Sequence, residues 1–246
     1  MRSRKPEPEP GPLSEPDPPE LKLDCDRLAG MVTGDAQAHR RPSQINKTAN
    51  MEEHLMLGQM MDMPLSISSL IVHADRYHGD AEIVSRVIEG TSADNGGSIQ
   101  GGIHRYTYHD AHLRARKLAN VLQAQGIGFG DRVATLAWNG YRHFQLYYAI
   151  AGMGAVMHTI NPRLHPEQVA WIANHAEDKV LFFDNTFAPV VEKIAAHCPG
   201  VRAWVAMTDR KHLPQIKVDN LLCYEDLVEA ASSEFEWPEF DERSAA

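Results

Sequence analysis

Val133-Ala-Thr-Leu-Ala-Trp138, Ala155-Val-Met-His-Thr-Ile160, Val180-Leu-Phe-Phe183 and Val201-Arg-Ala-Trp-Val-Ala206 are four short apolar runs inside the stretch Asp131 to Met207. Segments of helical period lie between them. After Asn139-Gly140, the residues Phe144, Tyr147, Tyr148 and Ala151 recur three and four apart, as one face of a helix requires. Pro166-Glu167 opens a second helix: proline at the first turn gives up an N–H that has no partner there, and the glutamate faces the positive end of the dipole. Its expected inward face is Val169, Ile172 and Ala176. Val190, Val191 and Ile194 mark a third helix, ending near Pro199-Gly200. Strands that alternate with helices in this way form β-α-β units, which close as parallel pairs with right-handed crossovers. The expected fold is therefore a layered α/β domain.

Upstream, Ile67, Leu70, Ile71 and Ala74 recur at helical spacing behind Pro64, and Tyr77-His-Gly-Asp80 ends that helix. Ala81-Glu-Ile-Val-Ser-Arg-Val87 and His104-Arg-Tyr-Thr-Tyr108 read as the two arms of a hairpin, joined by the glycine-rich loop from Gly90 to Gly102. Asp110 is placed to cap a further helix whose stripe is Ala111, Ala115, Leu118 and Leu122, with Gly126 as its stop.

Composition bounds the function. No apolar run in the 246 residues approaches the roughly 20 needed to cross a bilayer. Twenty-four basic residues against 33 acidic ones give a net charge of −9, which argues against nucleic acid as the main partner. Cys25, Cys198 and Cys223 are odd in number and widely spaced, so neither a disulfide framework nor a zinc site is indicated, and a reducing cytoplasm fits best. Seven prolines fall in the first twenty residues, interleaved with glutamates. Residues 1–50 stay polar and aperiodic, which predicts a disordered tail preceding a domain over 51–246, with Met51 or Met56 as an alternative start.

Several features imitate chemistry. Gly126-Ile-Gly-Phe-Gly130 looks like a phosphate loop, but it follows a helix and precedes a strand, the reverse of the order that cradles a phosphate. A helix stop and tight turn is the expected reading. His104, His109 and His112 lie close together, and a solvated helix start accounts for them more simply than a metal site. Trp138, Tyr141, Phe144, Tyr147 and Tyr148 gather aromatics after one strand end; core packing is the default, although such ends are also where α/β sheets place ligands. No Gly-x-Ser-x-Gly elbow and no Gly-Lys-Ser/Thr loop occurs, so the residues alone show a scaffold without a reaction centre.

From Met56 onward the chain resembles the AMP-forming acyl-CoA synthetase (adenylate-forming ligase) superfamily. Tyr106 to Asn120 looks like its first core motif, Gly130 to Gly140 like the strand that follows, and Ala151 to Leu164 like its second core motif. Trp138-Asn-Gly-Tyr-Arg-His-Phe144, His158-Thr-Ile-Asn-Pro-Arg-Leu164 and Leu221-Leu-Cys-Tyr-Glu-Asp-Leu227 are most similar to medium- and long-chain fatty acyl-CoA ligases. The resemblance implies a two-step reaction: a fatty acid carboxylate attacks the α-phosphate of ATP to give acyl-adenylate and pyrophosphate, then coenzyme A displaces AMP. ATP, Mg2+ and CoA are the implied cofactors of the full-length enzyme. That family carries its phosphate chemistry on a Thr/Ser/Gly-rich loop ending in Pro-Lys-Gly, which these 246 residues do not contain. The expectation is the N-terminal subdomain of a ligase, catalytically silent alone, with no tightly bound cofactor. The implied partners are a fatty acid in the complete enzyme and either a second copy or a complementing C-terminal part. By the same resemblance Arg163, in Asn161-Pro-Arg163, is the candidate contact to a CoA phosphate. The alternatives are a nucleotide-binding α/β module, for which the glycine loop between strand and helix is lacking, and a non-catalytic interaction or dimerisation scaffold.

Overall fold

The computed structural model describes residues 63–87 and 102–246. The expected tail over 1–50 and most of the loop from Gly90 to Gly102 lie outside the described residues. Helix α1 (Ile67–His78) leads into an antiparallel ribbon, β1 (Glu82–Arg86) and β2 (Ile103–Thr107), in which Val84 pairs with Arg105. Helix α2 (Tyr108–Ala124) follows directly. Its N-cap is Thr107, not Asp110: the Thr107 hydroxyl accepts the Asp110 N–H, and the Asp110 carboxylate accepts the Thr107 N–H at 3.0 Å. Asp110 is the third helical residue of a reciprocal capping box, a role that also demands a short acidic side chain at the helix start. The helix stops at Gly126, whose φ of +74° suits a residue without Cβ.

The remainder is a five-stranded sheet: β3 (Arg132–Leu136), β4 (Val156–Thr159), β5 (Val180–Phe183), β6 (Ala203–Ala206) and β7 (Leu221–Cys223). The spatial order is β4-β3-β5-β6-β7 and every pair is parallel. The four expected strands are all present; β7 and the helix after it, α6 (Tyr224–Ala230), are additions. Connecting helices are α3 (Tyr141–Gly152), α4 (Pro166–His175) and α5 (Ala188–Ile194).

Period-2 alternation sorts the strand residues onto two faces. Val133, Val180, Phe182 and Val205 join Leu118 and Leu122 of α2, Leu146, Ala149 and Ile150 of α3, and Tyr224 and Val228 of α6. On the other face Leu136, Leu181, Phe183 and Trp204 pack with Val169 and Ala173 of α4 and Val191 and Ile194 of α5. For α4 the expected inward face is half right: Val169 is buried and Ile172 packs at the margin, but Ala170 and Ala173 complete the contact. For α3 the expected face is displaced. Leu146, Ala149 and Ile150 meet the sheet, whereas Phe144 and Tyr148 are half-buried against α1 and the ribbon, and Tyr147 is 45% exposed. This helix is covered on two sides, so two apolar stripes overlap in its sequence and the aromatic one is the outer.

Candidate active-site crevice

In an open parallel sheet, ligands bind beyond the carboxyl ends of the strands, where two neighbouring strands send their connections to opposite faces. Here those strands are β3 and β5. The chain leaves β3 for α3 on one face and leaves β5 for α5 on the other. Trp138, Gly140, Tyr141, Arg142, His143 and Asp184 line the gap, and Arg86 at the end of β1 closes one side. Beside it a cavity of about 290 Å3 is walled by Ile83 and Val84 of the ribbon and by Asn139, Tyr141, Phe144 and Tyr147. A Cβ built on Gly140 would meet nothing, so the floor of the crevice is open at that residue.

Each lining group is fixed. The buried Asp184 carboxylate accepts the Trp138 N–H at 2.6 Å, tying the loop after β3 to the end of β5. His143 lies within 3.1 Å of the Thr135 hydroxyl, and burial holds its imidazole below the usual range, so it is neutral at pH 7 and serves as a hydrogen-bonding group without charge. Arg142 donates to Glu225 at 2.6 Å and to the Met207 carbonyl at 3.1 Å. Arg114 of α2 donates to the other Glu225 oxygen at 2.7 Å. Burial pushes the Glu225 carboxyl up, but the charges and hydrogen bonds of Arg114 and Arg142 outweigh it and leave it below its ordinary value. Tyr224 completes the network by donating to Gln145 at 2.8 Å. One carboxylate thus holds α2, α3 and α6 together behind the crevice.

The aromatics after β3 divide between the two readings the sequence left open. Phe144 and Tyr148 are half-buried against α1 and the ribbon, while Trp138 is 39% exposed and leans on Phe187 with ring centroids 5.1 Å apart. Arg163 follows the end of β4 and is exposed; its backbone N–H bonds Asn161 Oδ1 at 3.0 Å. It stands at the same end of the sheet as the crevice but is not among the residues lining it. Gly126 to Gly130 form a turn at the opposite, amino end of β3, with Gly128 N–H bonded to Asp131 Oδ2 at 2.9 Å. The expected solvated helix start holds for His109, which is exposed, but not for His112 or His104. His109 and His112 both bond Asp75, at 2.8 and 2.6 Å, His112 is buried, and His104 stacks on Tyr141 at 3.9 Å. Helix α1 brings Asp75 against His112 and buries it, while His109 stays exposed, a contact no local pattern announces. Asp184, Arg142 and His143 were not singled out in the sequence; their signal was position, Asp184 directly after β5 and the other two in the first turn of the helix that follows β3.

The AMP-binding enzyme family matches residues 73–245. A 3-methylmercaptopropionyl-CoA ligase of Ruegeria pomeroyi is 46% identical over 191 residues, which are 78% of this chain and 33% of that protein. A medium-chain-fatty-acid–CoA ligase of Ectopseudomonas oleovorans is 43% identical over 191 residues, again 78% and 33%. Among solved structures, the anthranilate CoA ligase AuaEII with anthranoyl-AMP superposes with a TM-score of 0.53 at 21% identity, covering 57% of this chain and 26% of that one, a likeness of fold. The chain spans about a third of the length of these curated relatives. On its sheet topology and on a family match that covers 73–245, it belongs to the AMP-binding enzyme family.

Proposed function

We propose that this chain is the N-terminal part of an AMP-forming fatty acid–CoA ligase, joining a fatty acid to coenzyme A with conversion of ATP to AMP and pyrophosphate. The observation that supports it is the identity above 40%, over 191 residues, to two proteins named for the same acid–thiol product class. The carboxyl-end crevice is where this part meets substrate. Arg163, exposed at that same end, contacts a phosphate of coenzyme A as it passes the edge of β4, since a guanidinium pairs well with phosphate oxygens. A reducing, cytoplasmic setting fits the free, buried Cys198 and Cys223.

The described residues do not fit ATP phosphates or Mg2+. Among them no three acidic, His or Cys side chains converge as metal ligands, and the glycines of 126–130 lie at the wrong end of the sheet. Adenylation needs donors aimed at the charge that develops on the transferring phosphoryl group. These 246 residues contain no Thr/Ser/Gly-rich loop ending in Pro-Lys-Gly, so as a separate polypeptide they do not form acyl-adenylate.

The test is AMP formation with ATP, Mg2+, coenzyme A and either octanoate or 3-methylmercaptopropionate. The chain is assayed alone and mixed with a separately expressed remainder of the Ectopseudomonas oleovorans ligase. The expected result is no AMP alone and AMP on mixing. Activity alone overturns the claim of silence, and silence in both arms favours a scaffold. That second reading has its own observation: Leu65 just before α1, Leu70 on it, and Val84 and Ile103 of the ribbon are all more than half exposed. Surface of that kind marks contact with a partner or a second copy.

A further inference from the structure

The segment after α6 crosses the outer side of α2 and α3 and is held through five of its residues. Asn120 of α2 donates to the Ser232 and Glu234 carbonyls at 2.8 and 2.9 Å. Trp237 lies on Gly152, where even a methyl group would stand 2.6 Å from the indole ring. Phe240 meets Phe129 edge-on at 5.7 Å, and Glu242 accepts the Leu65 N–H at 2.8 Å. The remaining contact is of a different kind. The Trp237 indole N–H donates to His112 Nε2 at 3.0 Å, while His112 Nδ1 faces Asp75 at 2.6 Å. Indole nitrogen is a donor only, so the bond exists only while His112 Nε2 carries no proton.

We propose that residues 231–242 form a strap that acid releases, with the Trp237–His112–Asp75 chain as its catch. Protonating His112 at Nε2 sets one N–H against another. The imidazolium keeps its bond to Asp75, the indole loses its only acceptor, and the ring lifts from Gly152. The charged and titratable groups around His112 oppose one another. From α1, Asp75 favours the charged ring; from α2, Arg116 and His109 disfavour it. From the strap comes the neutral indole, which disfavours it as well. Burial weighs most and holds the ring below its usual range, so the catch is closed at pH 7. Release uncovers the apolar seam at Gly152 and Met153 that Phe235 and Trp237 of the strap cover.

The experiment is hydrogen exchange read by mass spectrometry at pH 7.5 and 5.5, corrected for intrinsic exchange. It uses the whole chain, His112→Gln and Trp237→Phe. Glutamine keeps an acceptor and cannot titrate; phenylalanine keeps the packing and cannot donate. Protection of residues 231–240 in the parent chain should fall by up to about tenfold per pH unit, the limit for one proton taken up on opening, while the α2 amides hold. In both variants the fall should vanish. A parent strap whose protection does not depend on pH overturns the proposal, as does an undiminished fall in either variant. Should a variant not fold, the parent chain decides by NMR: the Trp237 indole resonance must titrate with the same midpoint as the His112 ring protons, and separate midpoints overturn the catch.

Discussion

The two faces of the parallel sheet are covered by the same kind of layer but held by different physics. On one, α4 and α5 lay aliphatic side chains on Leu181, Phe183 and Trp204, with a polar pair, His158 Nδ1 and the buried Asp178 at 2.8 Å, beside that apolar layer. On the other, α2, α3 and α6 add to an equally apolar core a buried ionic network, Arg114–Glu225–Arg142, and an external strap seated on Gly152. The polar side is the one that turns toward the crevice, because Arg142 and His143 follow the end of β3. Apolar packing is non-directional and tolerant of small shifts, whereas a shared carboxylate fixes three helices to within hydrogen-bond distances. The difference teaches that behind the crevice a shared carboxylate fixes the position of three helices, whereas on the opposite face the helices are held mainly by apolar contact.

The largest expected break of this comparison is Glu225→Ala. Side chains of Arg142 and Glu225 are 8% and 17% exposed, so screening by water is weak and two cations lose their partner together. Denaturant unfolding should show a loss of about 3–5 kcal/mol. The same group sets an acid limit. Its carboxyl is depressed in the folded chain, so its stabilisation is full above the ordinary carboxylate value of 4.5 and is lost as pH falls through the folded value. Glu225→Gln should flatten that part of the stability profile, measured by unfolding from pH 7 to pH 3.

Next come Leu146→Ala on the networked face and Ile194→Ala on the aliphatic one. Both side chains are at most 1% exposed, and each truncation should cost about 2–5 kcal/mol. Similar values would show that the apolar layers are equivalent and that the faces differ only in their polar members. A much smaller loss at Leu146 would mean that the ionic network carries that face. Gly152→Ala should cost less, about 1–3 kcal/mol by overpacking against Trp237, with strap amides exposed first in hydrogen exchange. Trp171→Ala, on the outer side of α4 where the ring is 64% exposed and stacked on His175, should stay within about 0.5 kcal/mol in the same unfolding assay.

The sequence was most legible where one constraint acted at a time. Strands buried on both faces, such as Val180 to Phe183, announce themselves as short apolar runs. In the same way α4 shows its start through Pro166 and its inward side through Val169. It misled where two constraints overlapped. Helix α3 is apolar toward both the sheet and the ribbon, and the aromatic stripe drew attention from Leu146, Ala149 and Ile150. β7 is only three residues long, too short for alternation to appear, and it is held by pairing with β6. The candidate site was legible by place alone. Ligands of open parallel sheets sit beyond strand ends, which marks the residues there, yet nothing local says that Asp184 reaches back to the Trp138 N–H, across 46 positions. His112 was lost for the same reason, since Asp75 and Trp237 come to it from 37 and 125 residues away.

That the carboxyl end of the sheet is the ligand end is the claim on which the functional reading turns, and amide chemical shifts recorded while coenzyme A is titrated to millimolar concentration test it directly. The account predicts weak, saturable shifts at Asn139, Gly140, Asp184 and Arg163, reduced by Arg163→Ala, with Gly126 to Gly130 unmoved. Shifts confined to Gly126 to Gly130, at the amino end of β3, would contradict it.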